Sequence, residues 1–149
     1  MTIFPAKTLL AIDGSEEAAL AAQAATELSK ETGSEVHVTY VLPAPEELVG
    51  HHWYAAEVRE SILEQAQSEA RQFLEGRAEE LRVEGAKIVD THLRTGEPDK
   101  EIIRLSEEIG ATLIVMGSRG LGAVRRALMG SVSDSVVRHA HCPVLIMRH

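Results

Sequence analysis

The residues of this chain best suited to chemistry are Gly117, Gly120, Gly130 and Ser131, which follow directly on the apolar run Thr112 to Met116. They read Gly117-Ser-Arg-Gly120, then nine residues, then Gly130-Ser131. A loop of this kind behind a strand offers bare backbone amides, and such loops hold phosphates. Glycine is expected at 117, 120 and 130 to supply positive φ and close backbone approach, where a Cβ would block the turn or the ligand. If Ser131 opens a helix, its amide and those just after it have no helical acceptor, and the helix dipole favours negative charge. The competing reading is that these glycines only turn the chain. Asp13, closing the apolar run Lys7 to Ile12, could accept hydrogen bonds from a ribose or a base amine, although Asp-Gly also ends strands simply by favouring turns.

Other chemistries fit less well. A Walker-type loop needs a Lys after its last glycine, and here Ser131-Val-Ser-Asp134 follows. The dinucleotide fingerprint belongs in the first strand-to-helix turn, yet Asp13-Gly-Ser-Glu-Glu17 holds a single glycine. His51-His52 and His139-Ala-His141-Cys142 invite a zinc reading, but neighbouring histidines point apart on a helix or strand and a second ligand pair at zinc spacing is missing. No metal site in the protein itself is therefore expected. Cys142, ahead of Pro143 and an apolar strand, reads as a small buried residue and not as a nucleophile. No base and nucleophile pair stands out, so no catalytic residue is assigned.

The elements that must position these groups follow from periodicity. Lys7 to Ile12 is a continuously apolar run that suits a strand buried on both faces. Ser15 is placed to cap a helix in which Ala18, Ala22, Ala25 and Leu28 recur until Gly33. Val36 to Leu42 is a second strand, ended by Pro43 and Pro45. Val58, Ile62, Ala66, Ala70, Leu74, Ala78 and Leu81 mark a long amphipathic helix between Trp53 and Glu84, stopped by Gly85. In Lys87 to Thr95, Val89, Thr91, Leu93 and Thr95 alternate with Ile88, Asp90, His92 and Arg94; one face is largely polar, as on an edge strand. Pro98 opens a helix with the stripe Ile102, Leu105, Ser106 and Ile109. Thr112 to Met116 is the fourth strand, Ser131 to His139 a helix with Val132 and Val136 inward, and Pro143 to Met147 the last strand. Strict β-α alternation predicts a parallel α/β sheet with helices on both faces, in one domain over 1–149.

Composition agrees with one core, at 149 residues and 44% hydrophobic content. The charge is acidic, with 23 Asp and Glu against 15 Lys and Arg, which disfavours nonspecific binding to nucleic acid or anionic lipid. A single cysteine, no signal-like N-terminus between Met1 and Lys7, and no apolar run near the roughly 18 residues of a membrane span predict a soluble cytoplasmic protein.

Gly117-x2-Gly120-x9-Gly130-Ser131 matches the glycine signature of the ATP-binding universal stress proteins. The opening Ala11-Ile-Asp13-Gly-Ser15, the position of Val41 and the ending His141-Cys-Pro-Val-Leu145 resemble them too, so the likeness covers essentially the whole chain. The resemblance implies an open five-stranded, Rossmann-like parallel sheet in the order 3-2-1-4-5 and a homodimer through the C-terminal strand, Val144 to Met147. It also implies ATP or a related adenine nucleotide, with Mg²⁺ or Mn²⁺ held mainly through the phosphates. Carried onto this sequence, Ala11, Ile12, Asp13 and Val41 would meet the adenine and ribose, with Met116 lining the base pocket or serving as plain core. Gly117, Ser118, Gly120, Gly130, Ser131, Val132 and Ser133 would surround the phosphates. Arg119 and Arg125 could neutralise phosphate charge, although an exposed Arg is more often just solvated. The leading function is then a stress-response regulator in which nucleotide occupancy sets the conformation of the glycine loop and so its protein partners. The alternatives are a slow ATP hydrolase and a nucleotide-independent dimeric interaction module.

Overall fold

The computed structural model describes residues 2–49, 55–119 and 130–149. His51, His52, Trp53, Gly120 and Arg125, singled out from the sequence, lie outside the described residues. The elements run β1 (Lys7–Ile12), α1 (Glu16–Thr32), β2 (Glu35–Leu42), α2 (Pro45–Val49), α3 (Ala56–Glu84), β3 (Lys87–Thr95), α4 (Pro98–Ile109), β4 (Leu113–Gly117), α5 (Ser131–His139) and β5 (Val144–Met147). All five strands are parallel, in the order β3-β2-β1-β4-β5. The central strand β1 pairs Lys7 to Ile12 with Glu35 to Tyr40 of β2 on one side and Thr8 to Leu10 with Leu113 to Val115 of β4 on the other. Among the described residues, no helix is long and apolar enough to cross a membrane.

A strand buried on both faces sends alternate side chains into two cores. Leu10 and Ile12 of β1 join Ala21, Ala22 and Ala25 of α1 and Leu74 and Leu81 of α3 on one face. Leu9 and Ala11 join Ile102 and Leu105 of α4 and Val136 of α5 on the other. The small alanine face lets α1 lie close to the sheet. Its ends are set by Ser15, whose Oγ accepts from the Ala18 amide at 3.1 Å, and by Gly33 in the left-handed region at φ 76°.

Three local expectations are corrected. Pro43 and Pro45 do not merely end β2: Pro45 occupies the first position of the short helix α2, where its fixed φ suits a helix start. In α3, the apolar stripe is buried only at Ala70, Leu74, Ala78 and Leu81, while Val58 is 47% exposed. Length explains this, since a helix of 29 residues spans about 43 Å at 1.5 Å per residue, whereas the eight residues of β2 cover only about 26 Å. The N-terminal part of α3 therefore runs past the sheet.

In β3, strict alternation fails. Val36 pairs with Ile88 but His37 pairs with Asp90, so the register shifts and Val89 is the additional residue of a bulge. Ile88 and Leu93, five positions apart in sequence, both pack against the α1/α3 core, while Val89 is 42% exposed. β3 is an edge strand, as its polar face suggested. At the other edge, β5 begins at Val144, one residue later than its apolar pattern, and all four of its residues are half-buried.

Candidate functional site

In a parallel sheet whose order runs outward in both directions from β1, the crevice lies beyond the carboxyl ends where β1 and β4 diverge. There the chain leaves β1 through Asp13-Gly14-Ser15. Gly14 takes φ 83°, a conformation that side chains disfavour, and Asp13 Oδ1 accepts from the Ser15 amide at 2.9 Å. Ser15 also donates from Oγ to the Arg119 carbonyl at 3.4 Å, tying the β1 turn to the loop after β4. Burial first, and then the nearby Asp13 carboxylate, push the Tyr40 phenol above its ordinary value, so Asp13 and Tyr40 share this end of the sheet.

Gly117 ends β4 for a reason other than the one expected. It is absent from the positive-φ glycines among the described residues, which are Gly14, Gly33, Gly85, Gly96 and Gly110. A Cβ at 117 would instead stand 2.6 Å from Glu17 Cβ, 2.7 Å from the Glu17 carbonyl carbon and 2.9 Å from the Ala18 nitrogen. The first turn of α1 packs directly on it, and only a missing side chain permits that approach. Gly130 does not use positive φ either: at φ −74°, ψ 163° it is the extended N-cap of α5. The expected left-handed glycines at 117 and 130 are thus corrected to a close-packing glycine and an extended cap.

Between these two residues the chain is pinned at its base. The Gly130 amide donates to the Ser118 carbonyl at 2.6 Å. Ser133 Oγ donates to that same carbonyl at 2.6 Å and lies 3.1 Å from the Gly130 carbonyl. Ser118 itself donates from its amide to Met147 of β5 at 2.8 Å. Ser118 and Ser133 are 2% and 1% exposed, which makes them a buried brace. The Ser133 proton, expected to serve a phosphate, is held by carbonyl oxygens. Arg119 is likewise engaged: its guanidinium meets Glu17 Oε1 at 3.2 Å.

What faces outward is the start of α5. Gly130 caps it without a side chain, Ser131 is exposed at the first helical position, and the amides of Ser131, Val132 and Ser133 precede the first intrahelical bond, from Asp134 to the Gly130 carbonyl at 3.0 Å. Such a terminus attracts anions. The apolar candidates Ala11, Val41, Met116 and Val132 all pack on the α4/α5 core, Met116 being 5% exposed. Ile12 does not join them, because strand alternation sends its side chain to the α1/α3 core. On that opposite face a cleft of roughly 210 Å³ is lined by residues that include Ile12, Gly14, Ser15, Phe73 and Arg77. It falls below the roughly 300 Å³ at which pockets begin to enclose small ligands. Tyr40 and Phe73, in edge contact at 5.4 Å, were not marked by any sequence motif, since only the fold brings them beside the Asp13 turn.

The strand order and the parallel pairing define a doubly wound α/β protein whose topological switch point falls between β1 and its neighbours. The chain belongs to the universal stress protein family, whose model matches residues 6–148. The universal stress protein YxiE of Bacillus subtilis (strain 168) is 34% identical over 146 residues, covering 95% of this chain and 98% of YxiE. Among solved structures, hypothetical protein MJ0577 aligns with a TM-score of 0.81 at 27% identity, over 95% of this chain and 94% of that one. The universal stress protein of Archaeoglobus fulgidus in complex with dAMP aligns at 0.62 and 24% identity, over 94% and 95% of the two chains, and shows the same fold.

Proposed function

We propose that this universal stress protein belongs to the ATP-binding, glycine-signature subgroup, and that it binds ATP or a related adenine nucleotide at the carboxyl ends of β1 and β4. The observation that carries the reading is that the β1 turn and the open N-terminus of α5 are tied to adjoining residues at the end of β4, Ser15 to the Arg119 carbonyl and Gly130 to the Ser118 carbonyl. The amides from Ser131 to Ser133, with Gly120 from the loop, surround the phosphates. Asp13 meets the ribose, and the apolar surface of Ala11 and Val41 meets the base. Met116 contributes as core behind that surface. A fold relative solved with dAMP supports the ligand class. A Mg²⁺ or Mn²⁺ ion entering with the nucleotide would be held chiefly by phosphate oxygens, since the neighbouring carboxylates of Glu17 and Asp134 are paired with Arg119 and Arg138.

Nucleotide occupancy then sets the loop between Ser118 and Gly130, and through it the protein partners of a cytoplasmic stress regulator. Residues 1–149 act as one unit, paired with a second copy antiparallel through the half-buried edge strand β5. A concentration-independent monomer mass by light scattering would overturn that pairing.

Mass spectrometry of small molecules released on denaturation identifies a retained ligand, and calorimetry with Mg·ATP tests the site through Gly130→Asp. Aspartate is a good N-cap at the observed φ and ψ, so the fold should persist, while its charge repels phosphate. The expected loss of ATP affinity is at least about tenfold, corresponding to one partly buried charge–charge contact. Unchanged affinity in the folded variant refutes the phosphate assignment.

A further inference from the structure

At the β3 edge of the sheet, away from the nucleotide crevice, three potential ligands converge that no sequence motif announces. His37 of β2 and His92 of β3 are 55 positions apart, yet His37 Nδ1 lies 3.0 Å from His92 Nε2. The rings stack with centroids 5.3 Å apart and planes inclined by 21°. Asp90 Oδ2 is 3.9 Å from the same His92 nitrogen, and one ligand atom from each of the three residues lies within 4.8 Å of the others. We propose that His37, Asp90 and His92 form a binding site for a divalent ion of the zinc class, bridging β2 and the edge strand β3.

The geometry can accommodate an ion. Two nitrogens at about 2.1 Å from a metal and at right angles to each other are about 3.0 Å apart, and about 3.4 Å in a tetrahedral site. The observed separation matches two nitrogens sharing one ion at a right angle, and it equally matches a hydrogen bond between the imidazoles. Asp90 completes a set of two imidazoles and one carboxylate. That donor mixture suits Zn²⁺, Ni²⁺, Cu²⁺ and Co²⁺ and not Mg²⁺ or Ca²⁺, which prefer oxygen alone.

The surroundings hold the three donors in place. The bulge at Val89 sets Asp90 directly opposite His37 and so puts Asp90 and His92 on the face of His37. Thr39 donates from Oγ1 to the His92 carbonyl at 2.8 Å, fixing the backbone of that ligand. The Thr91 amide donates to Asp90 Oδ1 at 2.9 Å, which occupies one carboxylate oxygen and leaves Oδ2 toward the imidazoles. His92 is largely covered while Asp90 is 62% exposed, so an ion has an open approach and keeps one or more positions for water.

The competing account is a plain hydrogen bond between two neutral imidazoles, with no ion. Calorimetry of metal-free, nucleotide-free protein with Zn²⁺ separates them. The expected result is one ion per chain, with affinity falling about tenfold or more in His37→Gln and His92→Gln and by less in Asp90→Asn. Equal stoichiometry and affinity in His37→Gln/His92→Gln would move the ion to other histidines and overturn the site, as would the absence of Zn²⁺ uptake by the wild type. Should a variant fail to fold, ¹⁵N imidazole spectra of the wild type decide: Zn²⁺ should shift His37 Nδ1 and His92 Nε2. Shifts confined to the other histidines overturn the assignment.

Discussion

The carboxyl end of β1 and β4 and the outer edge of β2 and β3 use opposite parts of the chain. At the first, polar side chains are engaged within the protein: Ser15 with the Arg119 carbonyl, Ser133 with the Ser118 carbonyl, Arg119 with the Glu17 carboxylate. The nucleotide proposed there would meet mostly main chain, the amides that open α5. At the second, the backbone is committed to the β2–β3 ladder and the side chains of His37, Asp90 and His92 converge. A main-chain site should be sensitive to an added Cβ or an added charge and tolerant of many side-chain exchanges, whereas a side-chain site should show the reverse.

The sharpest break in that comparison is Gly117→Val, because the new atoms meet the main chain of the first turn of α1. A loss of about 3 kcal/mol is expected from such overpacking. Urea denaturation reads it, and a near-neutral result would show that α1 and β4 can part without cost. Next comes Ile88→Thr against Val89→Thr. The bulge predicts that the first loses about 1–2 kcal/mol of burial while the second, at an exposed position, changes stability by less than about 0.5 kcal/mol. Equal effects would restore simple alternation.

Ser133→Ala removes a buried donor from the Ser118 carbonyl, which keeps the Gly130 amide. A cost of about 1 kcal/mol is expected, and a larger loss in ATP affinity than in stability would show the hydroxyl serving the ligand directly. The smallest effect is at Cys142, whose thiol is pushed up by burial. The neutral thiol is favoured by the fold, so this contribution is present below the ordinary thiol pKa and is lost as pH rises through the raised value. Alkylation by iodoacetamide at pH 8 should therefore be slower in the native protein than in urea, and equal rates would contradict it.

Much of the architecture could be read along the chain because its signals are local. Ser15 and Gly33 bound α1 and Pro98 opens α4, through a hydroxyl cap, a left-handed backbone and a fixed φ that each residue type supplies locally. Gly117, Gly130 and Ser131 were marked by their spacing and Asp13 by its place after the apolar run Lys7 to Ile12, and all four lie at strand or helix ends. Their roles were less accessible. Gly117 is glycine because α1 is pressed against it, and Ser133 donates to Ser118 because the loop closes there.

By itself, the sequence determined the β-α alternation, the strand and helix cores, and the candidate glycine-rich loop. These rest on periodicity, capping and missing Cβ atoms within a few residues. Only the tertiary structure decided that Val89 bulges, that α3 runs past the sheet, and that His37 meets His92. Each of these depends on register between strands or on the length of one element laid against another, and residues far apart in sequence carry no local trace of the partner they will meet.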